Sequence, residues 1–216
     1  MIFVRKPFDT YMKIANVFKF DAQYKNIVGY NDICEALKNI EWVATEKIDG
    51  TNIRIYWDGY SIHFGGRTNK SEIPQHLMQY LIDTTADMEV LFEQNFGEKE
   101  VCLYGEGYGY KIQADGEKYV ENGKDVGFIL FDVNVNGVDL SREQVNEVAA
   151  ELGLKSVPIV CKGKLDEIVD YVKANPKSTL GSHTHEMEGV VLQPSVMLYD
   201  SNHNMLKFKC KYANLK

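Results

Sequence analysis

The spacing of hydrophobic and polar positions changes period several times along the chain, and each change marks an element. "EWVATEK" is a short apolar run of strand character, and "NIRIYW" followed by "YSIHF" alternates, with Ile53, Ile55 and Trp57 on one side. The Asp58-Gly59 dipeptide joins those two runs and supplies the positive φ angles of a type I′ turn, so a tight hairpin is expected. After Pro74 the period becomes helical. Leu77, Leu81 and Ile82 recur at that spacing, Asp83–Asp87 interrupts it, and Met88, Leu91 and Phe92 resume it. Two further strands, "KEVCLYGEG" and "GFILFDV", flank a glycine-rich polar span too long for a tight turn, the kind of loop that often serves as a lid.

Ser141 and Gln144 form a capping box ahead of Val145, Val148, Ala149 and Leu152, with Gly153 at the stop position. "KLDEIVDYVKAN" predicts another helix, ended by Pro176, and the strands "EGVVLQP" and "MLKFKCKY" close the chain. Strands and helices do not alternate as βαβα, so the pattern predicts an α+β fold, mostly antiparallel β-sheets flanked by helices, without an internal repeat.

Composition narrows this picture. The 216 residues are 44% hydrophobic and 25% charged, as in an ordinary globular protein, and one domain over 1–216 is expected. A net charge of −7 means that any nucleic acid must be met by a local basic surface, not by a global positive field. The amino terminus carries charges throughout and has no apolar run of signal-peptide or membrane-span length, so a cytoplasmic protein is expected, with no membrane partner. Cys34, Cys102, Cys161 and Cys210 are dispersed without a C-x-x-C pair and read as packed, reduced thiols. His183 and His185 lack a third ligand at a recognisable spacing and read as part of a polar loop.

Candidate chemistry begins in the last strand. With period 2, Leu206, Phe208 and Cys210 point one way and Lys207, Lys209 and Lys211 the other. Alone, such a row is equally a guard on a sheet edge. Lys47, in "TEKIDGTNIRI", sits between Glu46 and an Asp49-Gly50 turn. A protonated lysine is a poor nucleophile, but crowding by cations and partial desolvation lower its pKa, and the lysine row would supply that crowding while neutralising an attacked phosphate. Alone, Lys47 reads as well as a solvated turn lysine. "GEGYG" invites a dinucleotide-binding reading, but Tyr110 stands where G-x-G-x-x-G needs its last glycine.

"EKIDGTN" resembles the K-x-D-G nucleophile motif of the covalent nucleotidyltransferases, the superfamily of ATP-dependent DNA ligases, RNA ligases and capping enzymes, whose nucleotidyltransferase domain is ATP-grasp-like. "GGRT" at Arg67, "LYGEG" at Glu106, "FILFDV" from Phe128, "EGVVLQP" at Glu188 and "KFKCKY" at Lys209 and Lys211 follow in that superfamily's order. "EWVA", "GTN", "RT" and "K-C-K" are closest in style to the RNA ligase 2 family, although some members carry His where this chain has Asp49, which leaves the substrate open.

The resemblance implies an ATP-dependent RNA ligase. Lys47 would attack the α-phosphate of ATP to form lysyl-AMP, AMP would pass to an RNA 5′-phosphate, and a 3′-hydroxyl would displace it. Lys209 and Lys211 would hold the α-phosphate, Glu106 the ribose and Arg67 ribose or phosphate, with Glu46 and Asn52 also at the nucleotide. Phe128 would stack on adenine, and Glu188 would organise Mg²⁺ or Mn²⁺ through water. Taken singly, Phe128 reads as core, Glu106 and Glu188 as ordinary acids and Arg67 as a solvated charge. Larger members carry a helical domain after the last motif, whereas this chain ends five residues beyond Lys211, so no separate C-terminal domain is expected. RNA contact would then rest on the basic, aromatic Arg5–Lys25 segment or on an accessory protein. Related readings are a DNA ligase or capping-type guanylyltransferase, and, in another class, a non-catalytic nucleotide- or RNA-binding module.

Overall fold

The computed structural model describes residues 10–181 and 184–216, so His183 and the first residues of the Arg5–Lys25 segment lie outside the described residues. The chain gathers into two compact units, one built mainly on Asp49–Val157, the other on Met12–Ile48, Pro158–Leu180 and Thr184–Lys216.

The second unit supplies the first elements: β1 (Ala15–Asn16), β2 (Phe18–Phe20), β3 (Ile27–Tyr30), α1 (Asp32–Ala36) and β4 (Trp42–Glu46). The other unit then runs through β5 (Thr51–Trp57), β6 (Ile62–Gly66), α2 (Gln75–Thr85), α3 (Met88–Phe96), β7 (Val101–Gly109), β8 (Val126–Val135), β9 (Val138–Asp139) and α4 (Arg142–Glu151). The chain returns through β10 (Ile159–Gly163), α5 (Leu165–Lys173), β11 (Gly189–Pro194) and β12 (Phe208–Lys211). The α+β reading holds, and among the named strands of the described residues every pair is antiparallel except β1 with β12.

In the Asp49–Val157 unit the sheet order is β6-β5-β7-β8-β9. Ile53, Ile55 and Trp57 do share a buried face, packed with Leu77 and Leu81 of α2, Phe92 of α3 and Val145 and Val148 of α4. The capping box of α4 forms as expected, with the Ser141 hydroxyl accepting from the Gln144 N–H while the Gln144 side chain accepts from the Ser141 N–H. The β5–β6 turn differs from expectation. Trp57 pairs with Ile62, leaving a four-residue loop in which Gly59 alone has positive φ (98°), so it is not type I′. Asp58 builds the turn instead, its carboxylate accepting from the N–H groups of Tyr60 and Ser61 at 2.9 and 2.8 Å. His63 reaches the same carboxylate at 2.8 Å, and this contact, then the Ser61 bond, lowers the Asp58 pKa to about 2.

In the other unit the sheet order is β1-β12-β11-β4-β10. One face is apolar: Trp42, Ala44, Val190, Leu192, Phe208 and Cys210 pack with Leu165, Ile168, Val169 and Val172 of α5. All four cysteines are free thiols, three of them buried and Cys161 partly exposed. No helix among the described residues is long and apolar enough to cross a membrane.

Candidate active site

The cation-bearing face is set by strand alternation. Cys210 pairs with Val190 and Val190 with Glu46, all on the apolar side, whereas Lys209 pairs with Val191 and Val191 with Thr45 on the opposite side. Lys211 pairs with Gly189 one step further on, and the Lys47 N–H donates to the Gly189 carbonyl at 3.0 Å. The lysine alternation expected in the last strand therefore forms, with Phe208 and Cys210 buried and Lys209 and Lys211 partly exposed. Lys207 precedes the strand and is buried at 6% exposure.

Glu188 ties the cations together. Lys47 Nζ donates to its Oε2 at 2.7 Å and to the Ile48 carbonyl at 3.3 Å, while Lys211 Nζ pairs with its Oε1, also at 2.7 Å. Both oxygens of one carboxylate thus each hold an amine. The Lys209 pKa is lowered, first by desolvation, then by the charges of Lys211, Lys47 and Lys13, against an opposing pull from Glu188. Four cations and one carboxylate leave a local excess of positive charge suited to a polyanion such as a triphosphate.

Glu46 lies elsewhere. On the apolar side of β4, at 1% exposure, its carboxylate accepts from the Ser178 hydroxyl, from the Thr179 N–H at 3.0 Å and from the Thr179 hydroxyl at 2.7 Å.

In the Asp49–Val157 unit Asn52 and Glu106 are cross-strand partners on β5 and β7, and the Asn52 Oδ1 is buried with no hydrogen-bond partner. Gly50 lies so close to β7 that a Cβ there would sit 2.3 Å from the Gly107 carbonyl oxygen and 2.8 Å from Glu106 Cγ, which explains a glycine at this position. Asp49 accepts from the Asp115 N–H at 3.2 Å, and its own N–H reaches the Tyr119 hydroxyl, so it anchors the long polar span, which contains a 3₁₀ turn at Gly116–Tyr119. Arg67 is exposed, and its carbonyl accepts from the Tyr11 N–H. Phe128 pairs with Gly107, one position from the Glu106–Ile129 pair, so it faces the side opposite Glu106. There it is 4% exposed in the core with Ile53 and Leu77, and its ring fills the space a side chain on Gly105 would need.

The sequence of the RNA ligase family matches residues 40–209. The chain belongs to the RNA ligase family. No curated protein matches it. Among solved structures this RNA ligase chain is similar to Naegleria gruberi RNA ligase. A lysine-to-alanine variant of that protein with ATP and Mn superposes at a TM-score of 0.66, with 19% identity over 96% of this chain and 57% of that one. An aspartate-to-alanine variant in apo form gives 0.65 with 18% identity over 98% and 58%, and a complex with PPi gives 0.61 with 19% identity over 96% and 61%. The likeness is one of fold, and the chain spans about three fifths of the length of these solved relatives.

The motifs alone do not reveal three residues of this cluster and its support. Lys13 adds its charge at Lys209, and Ser178 and Thr179 hold Glu46. Lys13 had a weak signal as part of the basic lead-in; "KST" had none.

Proposed function

We propose that the chain is an ATP-dependent RNA ligase that joins a 5′-phosphate to a 3′-hydroxyl through a lysyl-AMP intermediate. The observation that carries this is the sharing of Glu188 by Lys47 and Lys211, beside Lys209 on one sheet face, in a chain of the RNA ligase family. Lys47 gives up its proton and attacks the α-phosphorus of ATP; the N–P bond forms as the bond to pyrophosphate breaks. Lys209 and Lys211 offset the charge growing on the phosphoryl oxygens. Lys47 then loses AMP to an RNA 5′-phosphate, and the 3′-hydroxyl expels AMP to leave a phosphodiester. Asn52, Arg67 and Glu106 are proposed as sugar and phosphate contacts.

Among the described residues no three His, Cys, Asp or Glu side chains cluster as a metal cage. One carboxylate, Glu188, suits Mg²⁺ or Mn²⁺, which bind through few carboxylates, substrate phosphates and water. When bound, the metal would offset the charge of ATP and orient the pyrophosphate.

Incubation with α-labelled ATP and Mg²⁺ is expected to leave label on the denatured protein, and Lys47→Ala to leave none. Equal label in both would overturn the reading. Supplying GTP in place of ATP, and nicked DNA in place of RNA, separates a ligase for RNA from a capping enzyme or DNA ligase.

A further inference from the structure

Glu46 and Lys47 are neighbours in sequence, yet their side chains leave β4 on opposite faces, and both are tied to the same excursion of the chain. The segment between α5 and β11 goes out and returns on itself: the Met187 N–H donates to the Pro176 carbonyl at 3.1 Å, the Ser178 N–H to the His185 carbonyl at 2.9 Å, and Lys177 bridges Glu186 in antiparallel fashion. Its outgoing limb carries Ser178 and Thr179, whose three donors converge on the Glu46 carboxylate. Its return limb runs directly into Glu188, the carboxylate that grips Lys47 and Lys211.

We propose that Glu46 is a positioning residue: by fixing the Ser178–Thr179 turn from the apolar side of the sheet, it sets the place of Glu188 against the Lys47 amine on the other side. Alternation rules out a simpler role at the phosphates, since Glu46 shares the face of Ala44 and Val190 and is 1% exposed. A carboxylate suits the task because it accepts several donors at once, and bonds to an ionised acceptor are stronger than neutral ones. The pin joins two segments far apart in sequence, so without it the hairpin leading to Glu188 loses its three bonds to β4 and keeps its internal bonds and the packing of Met187. Displacement of a supporting group by about 1 Å can cost about a hundredfold in rate.

The inference rests on the ligase reading for its kinetic readout, and the test keeps the two apart. Single-turnover formation of the labelled lysine adduct is followed over a range of ATP concentrations, and thermal unfolding is measured on the same proteins. S178A/T179V and E46A are each expected to lower the maximal rate about 10- to 100-fold with the half-saturating ATP concentration nearly unchanged. All three changes together should be no slower than either alone, because they cut one unit. T179S, which keeps the hydroxyl, should restore most of the rate. E46Q keeps one carbonyl acceptor and replaces E46A if that variant does not fold. The proposal is overturned if E46A raises the half-saturating ATP concentration while S178A/T179V behaves as wild type, since Glu46 would then touch the nucleotide. Losses of thermal stability with an unchanged maximal rate overturn it too. If wild type forms no adduct at all, the ligase reading fails by itself; the pin is then judged from unfolding, where sub-additive losses support it and additive losses overturn it.

Discussion

Each unit is organised around a five-stranded sheet with one apolar face, and the two sheets treat charge on the remaining face in opposite ways. On β5 the guanidinium of Arg54 is fully buried, its Nε donating to the Gly66 carbonyl at 2.6 Å and its Nη2 to Asn69 Oδ1 at 3.0 Å. That charge is spent on holding the segment after β6. On β12 and at the end of β4, Lys209, Lys211 and Lys47 stay partly exposed, and Lys47 and Lys211 share a single carboxylate beside Lys209. A charge satisfied internally stabilises the fold, whereas cations left in excess repel one another until an anion arrives. The first arrangement is closed on itself, and the second keeps positive charge open to an anion.

Substitutions can break or sharpen this contrast. The largest expected effect is the complete loss of covalent label in Lys47→Ala, with thermal stability close to wild type, because a partly exposed ion pair adds only about 0–1 kcal/mol. Glu188→Ala leaves Lys47 and Lys211 without their shared partner; adduct formation should fall about 100-fold, again with a small change in stability. Arg54→Ala should do the reverse at the level of folding. It strips a partner from the buried Gly66 carbonyl and another from the Asn69 amide, and should cost about 3 kcal/mol in urea unfolding. An unfolding midpoint like that of wild type would remove the structural half of the comparison.

Two smaller effects appear in pH dependence. The folded-state pKa of Lys209 is lowered, so keeping it charged costs stability at neutral pH, and that cost disappears as pH rises through its folded pKa towards the unfolded value of 10.5. Wild type should therefore gain on Lys209→Met as the pH is raised towards 10.5, and added pyrophosphate should shrink the difference. The Asp58 carboxyl is depressed, so its contribution is present above pH 3.8 and lost as pH falls through about 2. Asp58→Asn should be slightly less stable than wild type at pH 6 and indistinguishable from it below pH 2.

Much of this organisation was legible because strong periodicity reports local burial. The Ile53–Trp57 alternation, the α2–α3 break, the Ser141 cap and the lysine face of β12 all lie within single elements. What escaped notice depends on partners distant in sequence. The strands β1 and β2 have two and three residues, too few to show a period, and β10 is five residues without alternation. The facing of Phe128 turns on an irregularity between Tyr104 and Gly105, where the partner on β8 jumps from Asp132 to Leu130. One skipped residue reverses a side. The Asp58-Gly59 turn failed as a type I′ prediction because the Asp side chain, not the backbone angles, closes the loop. Glu46 stands beside Lys47 in sequence, and only the sheet shows it turned away.

The seat of β12, parallel to β1 on one side and antiparallel to β11 on the other, has a consequence for biosynthesis. The Lys47 amine emerges from the ribosome well before β12, but two of the cations beside it lie on a strand that must slot between two others already made. A nascent chain stalled before Phe208 would carry its amine with an unfilled gap beside it and two raw sheet edges, inviting capture by chaperones or by another unfinished copy. The cluster of cations around Glu188 is therefore complete only after translation of the strand that holds Lys209 and Lys211.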